Sequence, residues 1–289
     1  MIAQQAYPVQ RLCGLLGVSG SGYYAWCGRP ESARSRANGE IVMMMRQIHK
    51  EVKQTYGSPR MHDELVARGY RCSRNRVARL MRQQGLIAKM TIRFRRAAKA
   101  GRREQVAPNQ LDRQFEVAVP DRVWASDITY IPTRAGFVYL AVVLDLYSRR
   151  VVGWAMHSRL SAQLVAQALS QAYQRRRPGS GLLHHSDQDP LYSSLVYQHL
   201  LAEYDMTASM SRKGNCWDNA CVESFFASLK SELVAFERFT TRDEAETAIF
   251  EWIEVFYNRV RRHSTLGYNS PVDFERLTHQ LKPSAHENG

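Results

Sequence analysis

The stretch SRKGNCWDNACVESFFASLKSE, residues 211–232, decides the fold because the rest of the chain can be ordered around its long helical run. Glu223 is the acid inside the apolar part of that run, and Lys230 follows seven residues later. Seven residues are nearly two helical turns, so these two side chains share one face of the helix. Two upstream β-type segments also carry an acid: WASDITYIP contains Asp127, and LLHHSDQ contains Asp187.

The composition describes a folded globular protein with an uneven distribution of charge. The chain has 289 residues, a length sufficient for one large domain and one or two small ones. Hydrophobic residues make up 44% of it. Residues 1–120 contain 22 Lys and Arg and 8 Asp and Glu, whereas the remaining 169 residues contain 18 and 19. Between Arg71 and Arg103 there are 12 basic residues and no acid. This pattern favours a polyanionic partner, nucleic acid first.

Cysteine usage and hydropathy argue against two other classes of protein. The five cysteines are odd in number and form no C-x-x-C, so a disulfide framework is not expected. The sequence has no signal peptide and no apolar run of membrane length. We therefore expect a cytoplasmic protein without a membrane partner.

The first 28 residues predict a helix-turn-helix-like segment. Gly17 can end one short helix, and Ser19 can cap the next. A plain helical hairpin packed on its neighbour fits the same pattern. Residues 29–39 are small and polar, which predicts a linker before a helix that begins at Glu40.

Residues 40–87 predict a second, DNA-binding unit of the helix-turn-helix type. Ser73 can cap its last helix. Four side chains of that helix are candidate DNA contacts: Asn75, Arg76, Arg79 and Arg82. The asparagine and the last two arginines fall within about 60° of one another around the helix. Phosphates and purine edges require such side chains, although a solvated basic face without nucleic acid is the alternative.

Residues 88–119 are predicted to form a basic arm or linker. They show little apolar periodicity, so they are not expected to build a core element. The arginines expected to follow the phosphate backbone are Arg93, Arg95, Arg96, Arg102 and Arg103. A merely flexible linker is the alternative interpretation.

From residue 120 to residue 281 the pattern changes to that of an α/β core. Val123–Ile131 has the composition of a strand, and YLAVVLDLYSRRVVGWAM (139–156) predicts two more strands in an antiparallel meander. Short strands at residues 182–186 and 206–209 then alternate with helices. Together these elements predict a sheet layered with helices.

Helix boundaries in this core are set by familiar signals. Pro190 is expected to begin a helix that ends near Tyr204. Thr241 and Glu244 have the spacing of a capping box. Residues 282–289 are polar and are predicted to be disordered.

Asp127, Asp187 and Glu223 suit metal-dependent phosphodiester chemistry. That chemistry needs an activated oxygen nucleophile and relief of charge on the leaving oxygen, and two divalent ions about 3.5–4 Å apart provide both. Mg²⁺ prefers oxygen ligands and takes few protein groups, and Mn²⁺ could substitute for it. Asp187 follows a strand, where open α/β sheets place ligands. Lys230 could hold DNA beside the metal.

Each acid also has a structural interpretation. Asp127 could accept a hydrogen bond from a neighbouring backbone amide, and Asp187 could cap the helix that follows it. Glu223 could pair with a basic residue on the surface. Since the second half of the chain is rich in acids, a three-acid pattern is easy to find by chance.

Two further sets of residues are candidates for catalysis or metal binding. Asp145 could be a fourth catalytic acid, although a turn acid paired with Arg149 or Arg150 is the simpler interpretation. His184 and His185 could suggest zinc, but no other Cys/His set lies at ligand spacing. The sequence has neither a Ser-His-Asp arrangement with a nucleophile elbow nor a phosphate-binding glycine loop.

Five segments together resemble a known family. They are WASDITYIPT, YLAVVLDLYSRRVVGW, HHSDQ, SMSRKGNCWDNACVESFFASLKSE and YNRVRRHSTLGYNSP. They are similar to the second-reading-frame (OrfB) products of bacterial insertion-sequence transposases, within the retroviral-integrase-like DDE superfamily. The resemblance covers about residues 8–281, and the 35 residues between Asp187 and Glu223 match the spacing of that family.

The resemblance implies a fold and an activity. The implied fold is an RNase H-like core, a mixed five-stranded sheet with flanking helices, preceded by small all-α modules. Asp127, Asp187 and Glu223 would be its metal-binding catalytic acids, and Lys230 and Asn219 would assist at the DNA. The implied reaction is hydrolytic nicking at the 3′ ends of the element, followed by attack of the freed 3′-OH on a new phosphodiester.

The resemblance also implies partners. They are double-stranded DNA, both as terminal inverted repeats and as target, and further copies of the chain, because two element ends must be handled together. In this family an upstream-frame product often supplies a further helix-turn-helix and a leucine zipper by frameshift fusion. A location at the bacterial nucleoid follows from the DNA partner.

Two other functions fit part of the pattern. One is a catalytically silent DNA-binding regulator, or an accessory partner of a longer frameshift transposase. The other is a metal nuclease that hydrolyses DNA but does not join it. The presence of all three acids argues against the silent regulator.

Neutralising Arg93, Arg95 and Arg96 together should flatten the salt dependence of DNA binding. Each phosphate contact contributes roughly 0.9 to the slope of log K against log salt concentration, so three lost contacts should lower the slope by up to about 2.7. Titrations of a DNA duplex at several salt concentrations measure this slope for the variant and the unaltered chain. An unchanged slope removes the arm from the DNA interface.

Overall fold

The computed structural model describes residues 8–89, 107–212 and 216–280. Helices make up the first range, and the other two form an α/β core. One hydrophobic cluster includes residues from both, such as Met45 and Leu65 of the helical part and Phe225 and Trp252 of the core. The predicted tail at residues 282–289 lies outside the described residues.

The helical part contains five helices: α1 (Val9–Leu16), α2 (Gly20–Cys27), α3 (Ala33–Glu51), α4 (Ser58–Ala67) and α5 (Arg74–Gln83). Gly17 ends α1 in the left-handed conformation with φ of 65°, and Ser19 caps α2 by accepting from the Gly22 amide. Ser73 caps α5 in the same way. These predicted helix ends are confirmed.

The predicted linker at residues 29–39 is wrong in its second half, because α3 begins at Ala33 rather than at Glu40. The Ser32 hydroxyl accepts a hydrogen bond from the Ser35 amide at 3.1 Å and so caps the helix. Gly39 lies inside α3. Small polar residues describe a linker in isolation, but here a serine cap and the apolar stripe that follows extend the helix toward the N-terminus.

The core is a mixed five-stranded sheet: β1 (Val123–Thr133), β2 (Gly136–Asp145), β3 (Val151–His157), β4 (Leu182–Ser186) and β5 (Met206–Met210). The spatial order is β3-β2-β1-β4-β5. Strands β1, β2 and β3 form the predicted antiparallel meander, whereas β4 and β5 add in parallel. The predicted α/β fold class and its mixed sheet are confirmed.

The core contains five further α-helices: α6 (Ala162–Arg176), α7 (Leu195–Glu203), α8 (Ala220–Glu232), α9 (Arg242–Phe250) and α10 (Pro271–Gln280). The first four pack on the two faces of the sheet. Apolar residues of α6 and α7 pack with Trp124 and Ile128 of β1 on one face. Those of α8 and α9 pack with Ala125 and Ile131 on the other. The alternation along β1 therefore serves two cores, as expected for a sheet buried on both sides.

Two predicted helix starts in the core have different outcomes. Thr241 and Glu244 form the predicted capping box at the start of α9. The helix expected at Pro190 instead begins at Leu195, and the residues before it form turns. Those turns are held by backbone bonds such as that from the Tyr192 amide to the Asp189 carbonyl, 3.0 Å.

Arg262 of the YNRVRRHSTLGYNSP segment docks the helical part on the core, and the neighbouring Arg261 binds α8 within the core. The Arg262 guanidinium bonds Glu64 of α4 at 2.6 Å and also pairs with Asp63. Arg261 is 4% exposed and bonds Glu232 at the end of α8 at 2.6 Å. The Tyr56 hydroxyl adds a bond to a backbone carbonyl of the same segment at 3.0 Å. Arg261 and Arg262 therefore both have a structural role.

The segment predicted as a basic arm or linker, residues 88–119, is described from residue 107 onward. Its described end packs on the core, where the amides of Gln110 and Leu111 donate to the Ser209 hydroxyl at 3.0 and 3.2 Å. Leu111 is 2% exposed. All five candidate DNA contacts of this segment lie among residues 90–106, outside the described residues.

Among the helices that the structure describes, none is long and apolar enough to cross a membrane.

Among the glycines that the structure describes, Gly153 is the one whose replacement should cost the most stability. A Cβ atom there would lie 2.6 Å from the Ala172 Cβ and would also collide with the Ala168 carbonyl of α6. Overpacking of this kind costs about 1–3 kcal/mol, so Gly153→Ala should lower the free energy of unfolding by at least that amount in denaturant titrations.

Gly39→Ala provides the matched control for this substitution. A Cβ atom at residue 39 meets no atom within 4 Å, and alanine favours helix over glycine by up to about 1 kcal/mol. Gly39→Ala should therefore leave stability unchanged or raise it. A Gly153→Ala variant as stable as the unaltered chain would contradict the close packing of β3 against α6.

Candidate active site

The register of β1 and β4 brings Asp127 beside Asp187. These parallel strands pair from Val123 with Leu183 through Ser126 with Ser186. Each aspartate is the next residue after that last pair. Neighbouring strands lie about 4.8 Å apart, so Asp127, still within β1, lies next to the point where the chain leaves β4 at Asp187.

Both aspartates are oriented by backbone amides. Asp127 is 1% exposed, and its Oδ1 accepts a hydrogen bond from the Ile128 amide at 2.7 Å. The Oδ1 of Asp187 accepts from the Asp189 amide at 3.1 Å. The structural alternative for Asp127, a bond to a neighbouring amide, is thus present. Asp187 does not cap the following helix, whose N-cap is Ser194. These bonds fix the rotation of each carboxylate.

Helix α8 approaches this pair from the second core. The Asn219 side chain, at the start of α8, donates to the Ser126 carbonyl at 3.2 Å. Glu223 is half-buried and lies one helical turn further along. The Lys230 ammonium, near the other end of the helix, lies 5.3 Å from the centre of the Tyr130 ring. Helix α8 therefore runs along β1 from Ser126 toward Tyr130, and Glu223 lies on the helix between these two contacts.

Asp218 anchors the start of α8 and was not singled out from the sequence. Its fully buried carboxylate accepts hydrogen bonds from Arg212, Arg113 and Asn109, each at 2.9–3.0 Å. The hydrogen bond from Arg212 is the main cause that holds the pKa of Asp218 well below its ordinary value. Only its place directly before Asn219 in CWDNA could have indicated this role.

Two buried oxygens near the aspartates have no hydrogen-bond partner among the described residues: the Tyr192 hydroxyl and the Asn219 Oδ1. Tyr192 is 1% exposed. Burial, together with the charges of Tyr197, Asp127, Asp187 and Asp189, raises the pKa of Tyr192 well above its ordinary value. Buried polar atoms usually have a hydrogen-bond partner, so we expect each of these oxygens to bind a water molecule or an ion.

The residues present fit a magnesium site. No group of three or more His, Cys, Asp or Glu side chains among the described residues is gathered so that it could hold a metal ion. Mg²⁺ does not need such a cage, because it commonly binds one or two carboxylates and completes its shell with water and substrate phosphate. Asp127 and Asp187 offer the carboxylates, and the two unpartnered oxygens could hold water.

His184 and His185 belong to the hydrogen-bonded core and do not offer a zinc site. The Nε2 of His184 bonds the hydroxyls of Ser126 at 2.9 Å and Tyr197 at 3.0 Å. Both ring nitrogens of His185 bond serine hydroxyls, at 2.9 and 3.1 Å. Burial lowers the pKa of His184 to about 3 and that of His185 to about 4.

Asp145 has the structural role that its position in a turn suggested, with different partners. Its carboxylate is fully buried and accepts from the Ser148 amide and hydroxyl at 2.9 Å and from the Asp121 amide at 2.7 Å. Burial raises the pKa of Asp145. The expected pairing with Arg149 or Arg150 is wrong, because Arg150 pairs with Glu275 at 2.6 Å.

The candidate DNA contacts of α5 lie on its exposed side. Asn75, Arg79 and Arg82 are exposed, whereas Val77, Leu80 and Met81 of the same helix are buried. Arg76 is half-buried and bonds the Asn38 side chain of α3 at 2.9 Å. The polar face predicted for this helix therefore exists, and one of its four members is partly engaged within the protein.

Family models match three parts of the chain. An integrase core domain model matches residues 118–216, and a second integrase core model matches residues 204–271. An HTH-like domain model matches residues 37–94. A DNA-binding helical domain ahead of an integrase core defines the class of the protein: it is a polynucleotidyl transferase that acts on DNA.

Relatives of the chain narrow that class, and one solved structure is also similar to part of it. The chain is 41% identical to the transposase InsF for insertion sequence IS3A of Escherichia coli (strain K12), over 94% of this chain and 95% of the relative. It is 40% identical to the insertion element IS600 uncharacterized 31 kDa protein of Shigella sonnei, over 93% and 99%. The HTLV-2 integrase catalytic core domain in complex with magnesium is similar at a TM-score of 0.42 and 16% identity, over 54% and 97%.

These matches establish the family. The chain belongs to the insertion-sequence transposases that include InsF. It is therefore a DDE-type DNA transposase, and the resemblance drawn from its motifs is confirmed. Which residues carry out catalysis is a separate question.

The two buried histidines should make stability depend on pH. Their folded pKa values lie below the unfolded value of about 6.5, so the unfolded chain binds more protons between pH 6.5 and pH 4. The free energy of unfolding should therefore fall as pH drops below 6.5, by about 1.4 kcal/mol per pH unit for each histidine.

Denaturant titrations at pH 7.5 and 5.5 measure this loss, and an imidazole NMR titration assigns it. Both rings should remain neutral at pH 5.5 in the folded chain. Protonation of either ring near pH 6.5 in the folded state would contradict the burial described here.

Proposed function

We propose that Asp127, Asp187 and Glu223 are the catalytic acids of this transposase and that they hold divalent metal, Mg²⁺ with Mn²⁺ as a substitute. The reaction would nick the 3′ ends of the element and transfer the freed 3′-OH to a new phosphodiester. The observation that carries this proposal is the β1–β4 register, which ends with Ser126 beside Ser186 and so sets the two aspartates side by side.

Metal bound at this site would neutralise the scissile phosphate and activate the attacking oxygen. The chain would contribute fixed geometry. Backbone amides orient Asp127 and Asp187, and α8 brings Glu223 along β1 from its own anchor at Asn219. Because these supports are backbone or buried groups, the acids require little rearrangement before DNA binds.

Tyr192 and Asn219 would position water at the aspartates. Each presents a buried oxygen without a partner among the described residues. The Asn219 side chain is already fixed through its Nδ2 bond to the Ser126 carbonyl, 3.2 Å. A water between these oxygens and the carboxylates would satisfy both groups and define one face of the site.

Lys230 would act at the DNA backbone next to the acids. It shares a helix with Glu223, and its ammonium lies beside β1 at the Tyr130 ring. A lysine is a compact point charge that suits a single phosphate. Its place seven residues after Glu223 puts it nearly two turns along the same helix, on the face that follows β1.

The exposed face of α5 would recognise the terminal inverted repeats. Asn75, Arg79 and Arg82 are exposed and offer contacts to phosphates and purine edges. Arg76 would contribute only if its bond to Asn38 opened. The arm arginines would add phosphate contacts that carry no sequence information.

The active form would be a multimer that holds two element ends together and also captures the target DNA. An upstream-frame product that contributes a helix-turn-helix and a leucine zipper fits this assembly as a partner. The protein would act in the cytoplasm at the nucleoid, where its substrate lies.

Purified chain given a pre-nicked terminal-repeat duplex and Mg²⁺ should produce joined DNA. Glu223→Gln, which removes the charge and keeps the shape, should lower joining by about a hundredfold or more. Chelation of divalent metal should abolish joining. Glu203→Gln, which alters an exposed acid at the end of α7, is the matched control and should leave joining unchanged.

Two outcomes support other functions. Cutting without joining by the unaltered chain indicates a metal nuclease. DNA binding without any chemistry, unaffected by Asp127→Asn, indicates a silent regulator or an accessory partner of a longer transposase. Joining by Glu223→Gln at the normal rate contradicts the proposed role of that acid.

A further inference from the structure

Two aromatic side chains stand exposed at the end of the strand that carries Asp127. Tyr130 of β1 is 50% exposed and Phe137 of β2 is 48% exposed. Their ring centres are 5.2 Å apart, with the planes at 74°. The Phe137 ring also contacts Tyr139 at 6.5 Å. This surface, called here the aromatic platform, consists of Tyr130 and Phe137.

The register of the sheet explains why the two rings meet. Tyr130 pairs with Tyr139 and Pro132 pairs with Phe137 across the antiparallel strands. Tyr130 and Phe137 are therefore diagonal neighbours on one face, within reach of long side chains. Most apolar residues of β1 and β2 are buried, so the exposure of these two rings needs another explanation.

The aromatic platform lies at the margin of the candidate active site. Strand β4 pairs with β1 only as far as Ser126, so the edge of β1 that follows Asp127 is not covered by β4. The Lys230 ammonium reaches the Tyr130 ring at 5.3 Å from α8. Three residues along a strand span about 10 Å. The side chains of Tyr130 and Asp127 point to opposite faces of the sheet, because the two residues are an odd number of positions apart. The platform and the acid are therefore connected only around this edge of β1, where Lys230 contacts the Tyr130 ring.

We propose that the aromatic platform stacks a DNA base next to the scissile phosphate, while Lys230 contacts the phosphate beside that base. This inference rests on the proposed function and adds positioning residues to it. DNA advances about 3.4 Å per nucleotide along each strand. Tyr130 and Asp127 are about 10 Å apart along β1, so the platform would hold a base about three nucleotides from the bond that is cut.

The chemistry of the surface favours a nucleotide over an apolar protein partner. A nucleotide offers a flat π-face and a negative phosphate, and the surface offers two rings and an ammonium at 5.3 Å from one of them. Base stacking on aromatic side chains tolerates any sequence. That tolerance suits an enzyme whose one site must take both its own element end and varied target DNA.

Fluorescence of 2-aminopurine tests the platform directly. The base is placed, one position at a time, at the three nucleotides on each side of the cleavage point in a duplex that carries the terminal repeat of the element. Stacking on the platform should quench fluorescence at one position on binding. Tyr130→Leu and Phe137→Leu should reduce that quenching at least severalfold, and Tyr130→Trp should restore it.

Strand transfer is measured on the same variants. Tyr130→Leu should lower it about tenfold, with Tyr130→Trp close to the unaltered chain. The matched control is Phe250→Leu, which changes a ring of equal exposure, 48%, that contacts Trp154 at 5.9 Å. It should change neither quenching nor strand transfer. Thermal unfolding of each variant separates a folding defect from a lost contact.

The result that overturns the proposal is quenching by Tyr130→Leu equal to that of the unaltered chain at every position. A change in sedimentation of the variant with unchanged quenching would assign the rings to a contact between copies and would equally overturn it. Glu223→Gln keeps the platform intact, so it should quench normally while joining no DNA. If Glu223→Gln still joined DNA at the normal rate, the proposed catalytic role of Glu223 would be wrong, whereas the proposal for the aromatic platform would be unaffected.

Discussion

The parallel pairing of β1 with β4 is the constraint on which the site depends. Its register ends with Ser126 beside Ser186, and each catalytic candidate follows at once. A slip of one residue would turn the side chains of one strand to the opposite face of the sheet. The register is protected because both faces are buried, with Trp124 in one core and Ala125 in the other. The packing of these neighbouring β1 residues therefore determines how close Asp127 and Asp187 lie.

Helix α8 connects this sheet to the helical part of the protein, and buried charges hold both of its ends. Asp218 fixes the start of the helix through Arg212 and Arg113. Glu232 fixes the other end through Arg261, whose side chain is 5% exposed. The Arg261–Glu232 pair is buried on both sides, whereas the arginines that bind Asp218 are about half exposed. A buried ion pair adds little net stability, but breaking it is costly, so it favours one arrangement. The path of α8 along β1 is therefore closely defined.

Much of this architecture was predictable because local signals agreed with the global fold. Alternating apolar residues predicted the antiparallel meander, and the capping-box spacing of Thr241 and Glu244 predicted the start of α9. The start of α3 was missed, because a serine cap at residue 32 and tertiary packing outweighed the polar composition of the segment. The ion pairs of Arg261 and Arg262 join residues far apart in sequence, and no local pattern indicates such partners.

The sequence indicates which residues are candidates for the site, but it does not indicate what surrounds them. The spacing of Asp187 and Glu223 was visible in the sequence, whereas the unpartnered Tyr192 hydroxyl exists only through burial. The decisive experiment on the metal site is anomalous diffraction from crystals grown with Mn²⁺ and a terminal-repeat duplex. We predict a manganese peak coordinated by the carboxylates of Asp127 and Asp187. Manganese bound elsewhere, with these two carboxylates free of metal at saturating Mn²⁺, would contradict it.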